Sequence, residues 1–368
     1  MEKVKIGILG LGAISGIYLK NLTGLFREVE IEGIYDLIPE KVEAAKKEYG
    51  IRKGYESMEA MLADPEIELV LNLTRPFEHY ETTKAALLAG KHVYSEKPLA
   101  ATFEEGEELM LLAKEQGLML GGAPDTFLGA GIQTCRKLID DGFIGKPLGA
   151  SARMICHGHE SWHPSPAFYY QHGGGPMMDM GPYYLTALVN LLGGVEGLTG
   201  ICTKGFETRT ITSQPLYGTQ VQVEVPTHVN GILQFSSGAV GTITTTFDVY
   251  YDTQAGLEVY GTKGTLRVPD PNGFGGPVWL FRPEDGTFKE IPLLYDYQEN
   301  SRGLGVADMA KALREKRQAR ADVEQTLHVL EIMTAFEKSS QEGRFVRMKT
   351  AYQRKEAMRD GCIRGILD

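Results

Sequence analysis

Short apolar runs alternate with amphipathic stretches over the first third of the chain. VKIGILG, IEGIY, ELVLNL, KHVYS and LMLGG are each followed by residues whose apolar members recur at helical spacing. That alternation is the rhythm of parallel βα units, and it predicts strands at these runs from Val4 to about Gly122. The helix ends are marked: Pro39 starts one that Gly50 stops, and Phe77 to Leu88 keeps its helical spacing up to Gly90.

After Pro124 the pattern changes. One helix is expected from about Ala130 to Asp141, and then alternation of period two takes over. VNGILQFSSGAVGTITTTFDV predicts two strands around a Ser-Ser-Gly turn, and LEVYGTKGTLRV two more around Thr-Lys-Gly. Thr-rich strands with polar residues at alternate positions predict a sheet packed on helices by one face and open to a partner subunit on the other. Two helices near Val306 to Lys316 and Val323 to Lys338 are expected to close this domain, and no pattern follows Arg344. The fold class is therefore α/β, with a doubly wound domain over 1–124 and a second α/β domain over 125–368 carrying a large open, mostly antiparallel sheet.

Length agrees, since 368 residues exceed what one hydrophobic core organises. Hydrophobic residues at 42% and charged residues at 23% exclude a disordered chain. The net charge of −10 argues against nucleic acid and anionic membranes as partners. The densest basic stretch, Lys311 to Arg320, is broken by Ala and Glu and reads as a solvated helix face. No apolar run has the length of a membrane span, and Val4 to Leu11 is too short and Gly-rich for a signal-peptide core, so a cytoplasmic protein is expected. Cys135, Cys156, Cys202 and Cys362 lie far apart, which predicts reduced thiols rather than a zinc site.

Chemistry enters at Gly7-Ile-Leu-Gly10-Leu-Gly12-Ala13-Ile14-Ser15-Gly16, directly after the first strand and at the start of a helix. Glycines allow the tight turn and let backbone amides approach a pyrophosphate at the positive end of the helix, as in a Rossmann dinucleotide-binding domain. The second strand ends at Asp36, 24 positions after Gly12, where a carboxylate accepts hydrogen bonds from a ribose diol. Leu37, Ile38 and Pro39 follow, with no Arg ready to pair a 2′-phosphate, so NAD is expected over NADP.

These residues resemble the Gfo/Idh/MocA oxidoreductases, and the resemblance covers nearly the whole chain. Its most specific part is Gly90-Lys-His-Val-Tyr-Ser-Glu96-Lys97-Pro98; Asn72-Leu-Thr74-Arg75-Pro76 with His79, Gly142-Phe-Ile-Gly145 and Gly173-Gly-Gly-Pro-Met-Met-Asp179-Met-Gly181 follow in the family's order. The resemblance implies a cofactor site over Gly10, Gly12, Ala13, Ile14, Asp36, Thr74, Arg75, His79, Glu96 and Lys97. It also implies a catalytic Lys97, and a cis bond before Pro98. Lys97 has a role of its own, because open α/β sheets bind ligands at the carboxyl ends of their strands. An ammonium there stabilises the alkoxide that develops as hydride leaves.

The family pattern places His four residues after the Asp; here Tyr183 follows Asp179. Tyr183 either replaces that His as acid/base beside Lys97 or lines a helix. Asp179 either orients substrate or serves the helix dipole. His157-Gly-His159-Glu160-Ser-Trp162-His163 is the remaining cluster. Alternation on a strand would put His157 and His159 on one face, which leaves a metal site open, but no further carboxylate or Cys stands at ligand spacing. The preferred expectation is no metal and a sugar-contact segment of His159, Glu160, Trp162 and His163, joined by Asp179 and Tyr183.

The implied function is NAD-dependent hydride transfer from a secondary hydroxyl of a sugar, glycoside or cyclitol by a homodimer or homotetramer. Two rivals stand beside it: a redox-neutral enzyme that retains NAD and eliminates a glycoside, and a non-catalytic NAD-binding regulator.

Overall fold

The computed structural model describes residues 2–252, 256–361 and 364–367; Cys362 lies outside them. The chain divides into two compact units, one made of Met1–Ala130, Leu294–Leu327 and Lys355–Asp368, the other of Gly131–Leu293 and His328–Arg354.

The first unit holds six parallel strands, β1 (Val4–Leu9), β2 (Val29–Tyr35), β3 (Lys53–Gly54), β4 (Leu69–Asn72), β5 (His92–Ser95) and β6 (Leu120–Gly122), in the order β3-β2-β1-β4-β5-β6. Helices α1 (Ser15–Gly24), α2 (Pro39–Tyr49), α3 (Met58–Leu62), α4 (His79–Leu88) and α5 (Phe103–Glu115) alternate with them. All four residues of β4 are buried, as a strand covered on both faces requires. Strand order reverses between β1 and β4, and a crevice at their carboxyl ends is the natural ligand site of such a sheet.

The second unit begins with α6 (Ala130–Asp140) and β7 (Pro147–Ile155), followed by the short α7 (Pro176–Asp179) and α8 (Gly181–Leu192). Its strands continue as β8 (Val195–Thr203), β9 (Thr208–Thr210), β10 (Gln220–Gln222), β11 (His228–Phe235), β12 (Val240–Thr246), β13 (Gly256–Gly261), β14 (Thr265–Val268), β15 (Val278–Phe281), β16 (Phe288–Ile291) and β17 (Val346–Arg347). Nine of them form one sheet, β16-β15-β14-β13-β7-β12-β11-β8-β17, antiparallel except where β7 meets β12; β9 and β10 make a separate ribbon. Both hairpins expected from the turn residues are present, β11–β12 and β13–β14. Phe336 lies on one face of the sheet, over the paired glycines Gly200 and Gly231; a Cβ at Gly231 would come within 2.1 Å of its ring. Ile201, Ile232 and Val240 are exposed on these same strands.

The domain boundary departs from the sequence expectation. The second unit is not one stretch from 125 onward, because α9 (Leu304–Glu315) and its flanks return to the first unit. Asp125 Oδ2 accepts the backbone N–H groups of Gly303 and Gly305, at 2.9 and 3.0 Å, and so caps the amino end of α9. Arg314 forks onto Glu68 at 2.7 Å through both oxygens, and Gly122 N–H donates to Ala321 O at 3.1 Å. The last helix, α10 (Val323–Glu342), passes from the first unit to the second at Leu327 and His328. Helical periodicity says that a face is buried, not which sheet buries it.

Candidate functional site

The cofactor edge is built first from backbone. β1 ends at Leu9, and the chain turns over Gly10 with φ of +92°; a Cβ there would meet Leu73 O at 2.7 Å. Glycine is required because the turns after β1 and β4 approach each other here. Ala13 and Ile14 complete the turn into α1, whose amino end carries no side-chain cap at Ile14, the kind of helix start that receives a phosphate. Beside this turn lies a cavity of about 330 Å³ whose lining includes Gly10, Gly12, Asp36, Lys41, Thr74 and Arg75. Asp36 Oδ2 accepts Leu11 N–H at 2.6 Å and Oδ1 accepts Ile38 N–H at 2.9 Å. The carboxylate is thus fixed in orientation, and each oxygen keeps a further lone pair for a diol. Lys41 is missed by a search for a basic residue directly after Asp36, because it lies in the first turn of α2.

The loops after β4 and β5 are braced by buried polar side chains. Asn72, fully buried, accepts Thr74 N–H and Thr74 Oγ1–H at 3.1 and 2.7 Å and donates to Thr83 Oγ1 at 3.0 Å. Arg75 pairs with Glu78. His79 is 1% exposed, with Nδ1 2.6 Å from Pro98 O and Nε2 2.9 Å from Thr74 O. Burial pushes its pKa below the ordinary value, and the two carbonyls oppose that shift without overcoming it. The neutral ring donates to one of the two carbonyls, and at 1% exposure His79 is packed between the Thr74 loop and the Lys97-Pro98 loop rather than open to a cofactor as its motif led one to expect. Glu96 needs the same correction: its buried carboxylate accepts Tyr18 OH at 2.7 Å and Lys97 N–H at 2.9 Å, so it holds the loop rather than offering itself to a cofactor. Lys97 is half-buried just past β5, and the Lys97-Pro98 bond is cis.

In the second unit β7 ends at Ile155, so His157 to His163 form a loop beyond the strand and not a strand face. Glu160 anchors that loop. Its carboxylate accepts hydrogen bonds from Arg209 Nε and Tyr170 OH, and Arg209 also pairs with Asp248 Oδ1 at 3.2 Å and donates to His157 O at 2.7 Å. Burial alone would raise the Glu160 carboxyl, but the bonds from Arg209 and Tyr170 outweigh it and hold the group below the usual carboxylate range. At 8% exposure and held by this network, Glu160 braces the loop from within rather than offering its carboxylate to a sugar as expected.

Of the other residues of the loop, His159 reaches Asp179, at the end of α7. His159 Nε2 lies 3.4 Å from Asp179 Oδ2. Its ring packs against Tyr169, Phe247 and Trp162 at centroid distances of 4.2, 4.6 and 5.3 Å. Trp162 is 61% exposed, a free aromatic face beside the pair. His163 Nδ1 accepts Ser165 N–H at 3.0 Å, and burial with the neighbouring His159 lowers its pKa. Tyr183, in the first turn of the wholly buried α8, is only 8% exposed. Among the described residues no group of three or more His, Cys, Asp or Glu is placed to hold a metal ion.

A glycine-turned cavity on a doubly wound sheet, in a chain that continues into an open-faced mixed sheet, defines a dinucleotide-binding fold. The Gfo/Idh/MocA oxidoreductase family's NAD-binding Rossmann model matches residues 4–122 and its C-terminal domain model residues 132–267, and the chain belongs to that family. Its cofactor is accordingly NAD. The chain is similar to a myo-inositol 2-dehydrogenase of Thermotoga maritima, 24% identical over 304 residues that make up 78% of this chain and 86% of the relative. A crystal structure of an NAD binding oxidoreductase from Klebsiella pneumoniae has the same fold, with a TM-score of 0.82 at 22% identity over 94% of this chain and 99% of that one. Levoglucosan dehydrogenase in complex with NADH gives 0.81 at 19% identity over 95% and 100%. Among the described residues no helix is long and apolar enough to cross a membrane.

Proposed function

We propose that the protein oxidises a secondary hydroxyl of a cyclitol, sugar or glycoside, with NAD as hydride acceptor. One observation carries this: buried His79 is packed between the Thr74 loop, which lines the cofactor cavity, and the Pro98 carbonyl beside Lys97, 2.9 and 2.6 Å from the two carbonyls. That packing keeps the Lys97 loop at the cofactor edge, where the ammonium donates to the substrate oxygen and stabilises the developing alkoxide. Bound NAD supplies a hydride acceptor. Gly10, Gly12, Ala13 and Ile14 receive the pyrophosphate, Thr74 and Arg75 flank it, and Asp36 bonds the ribose diol. Asp179 orients the substrate, and Trp162 with His163 gives the ring a platform.

The relatives named for myo-inositol and levoglucosan support a polyhydroxylated ring as substrate. Asp36 disfavours a 2′-phosphate, and Lys41 offsets part of that discrimination. The exposed Ile201, Ile232 and Val240 suit a homodimer or homotetramer, and free thiols at Cys135, Cys156 and Cys202 suit a reducing cytoplasm.

The test is incubation with NAD and a panel of cyclitols, aldoses and glycosides, following NADH absorbance and identifying products by mass spectrometry. The expected result is NADH equimolar with a ketone or lactone. Aglycone release without net NADH would identify the redox-neutral enzyme instead, and tight NAD binding with no product a regulator.

A further inference from the structure

The large sheet of the second unit has one parallel pair, β7 and β12, and the two strands leave it at the same end, Ile155 beside Thr246. β8 ends on that side too, since His228 pairs with both Thr203 and Thr246. Three loops therefore start there, and each carries an aromatic ring: His157 after β7, Phe206 after β8 and Tyr250 after β12. His157 stacks on Tyr250 with ring centroids 3.6 Å apart and 16° between the planes, and it meets Phe206 edge-on at 5.8 Å. Phe206 is partly exposed, and Tyr250 and its neighbour Tyr251 are each 80% exposed.

The rings reach the surface, but their support is buried. The Arg209 guanidinium lies 4.8 Å from the Phe206 ring centroid and donates to His157 O at 2.7 Å and to Phe247 O at 3.1 Å. It also pairs with Asp248, whose Oδ2 accepts Gly205 N–H at 3.1 Å and Thr227 Oγ1–H at 2.6 Å. One buried cation thus fixes the backbone of all three ring-bearing loops. His157 Nδ1 is buried without a hydrogen bond, so stacking on Tyr250 sets the ring. Rings preset on a rigid frame lose little freedom when a ligand lands on them, which is how a binding surface differs from side chains that are merely exposed.

The exposed ring faces are flat and apolar, which suits a planar aromatic ring stacked parallel to the His157–Tyr250 pair. The loop that carries His157 also carries Trp162 and His163, the sugar platform of the reading above. Between them the His159 ring touches Phe247 at 4.6 Å and Trp162 at 5.3 Å. We infer that His157, Phe206 and Tyr250 form a subsite for the aromatic aglycone of a glycoside, so that the substrate is an aryl glycoside rather than a free cyclitol or aldose. The inference rests on the dehydrogenase reading and narrows its substrate class. Every residue it uses lies in the second unit. The sugar ring lies toward Trp162 and the aglycone toward His157, where stacking adds affinity without a polar contact.

Binding without cofactor or turnover tests this. Phenyl and methyl β-glycosides of glucose, galactose and xylose are titrated into the full-length protein by calorimetry. At least one phenyl glycoside should bind ~10-fold more tightly than its methyl counterpart. Tyr250 is exposed, so Tyr250→Ala leaves the fold in place; it should bring the two glycosides within about twofold of each other, with affinity for the methyl glycoside and for NAD kept. No phenyl glycoside exceeding its methyl counterpart, or a preference that survives Tyr250→Ala, would overturn the subsite. An assembly that dissociates in Tyr250→Ala, read by analytical ultracentrifugation, would assign the rings to a second copy of the chain and overturn it as well. The subsite and the reaction fail separately: a phenyl preference lost in Tyr250→Ala, with no NADH formed from that glycoside by wild type, leaves the subsite standing and overturns the dehydrogenase reading.

Discussion

The cofactor edge of the first unit and the His157–His163 loop of the second are held by different forces. At the cofactor edge, backbone does most of the work: a left-handed Gly10, amides fixed by Asp36, and loop carbonyls packed against a buried His79. In the second unit a loop outside the sheet is held by buried charge, with Glu160 and Asp248 on either side of Arg209. A backbone site tolerates side-chain change except at its glycines. A charge-held loop fails when any one partner is lost, because the others remain buried without compensation.

The largest test of that contrast is Arg209→Met. It strands two carboxylates in a buried setting, and a loss of ~3–5 kcal/mol in unfolding free energy is expected. Urea denaturation measures it. NAD affinity of the protein that remains folded should be unchanged, since no residue of the cofactor cavity is touched. A small loss of stability would mean that the loop does not depend on this network.

The same contrast explains what the sequence discloses. Gly10, Gly12 and Asp36 are legible because a turn geometry and a strand end dictate residue type at fixed spacing. The β11–β12 and β13–β14 hairpins are legible through their turn residues. Arg209 is not legible as the partner of Glu160: the two are 49 positions apart and no periodicity links them. His79 and Glu96 are found by motif but misassigned, because a motif gives proximity to a site and not the direction of a side chain. The return of α9 to the first unit is hidden for a related reason, since its contacts run through Asp125, Glu68 and Gly122, none of which has a sequence signature.

A second test concerns His328, in α10. Its Nε2 accepts Val195 N–H at 2.9 Å, its Nδ1 lies 2.7 Å from Thr350 Oγ1, and burial pushes its pKa from 6.5 down to about 4. The folded state therefore keeps the ring neutral where the unfolded chain protonates it. The resulting stability is full above the unfolded value of 6.5 and is lost as pH falls from there towards 4. A contribution of at most ~3 kcal/mol is expected. Unfolding free energies at neutral pH and near the lower end of that window should converge for wild type and His328→Gln, and parallel curves would contradict the assignment.

The smallest effect separates two residues of the cofactor cavity. Asp36→Ala should reduce the preference for NAD over NADP by about tenfold, and Lys41→Ala should increase it a few-fold, as the removal of opposite charges near one phosphate requires. Fluorescence titration of both cofactors reads the ratio. Equal shifts in the same direction would remove charge as the basis of the preference.

Lys97→Met bears most directly on the proposed chemistry, because the ammonium has one task at the end of β5 and the cofactor cavity another. Stopped-flow NADH formation with the polyol found by the panel, together with NAD titration of the same protein, separates the two. Turnover should fall by ~100-fold or more while NAD affinity stays within a few-fold of wild type. Unchanged turnover in Lys97→Met would show that the ammonium does not act on the substrate hydroxyl, and the proposed mechanism would fall with it.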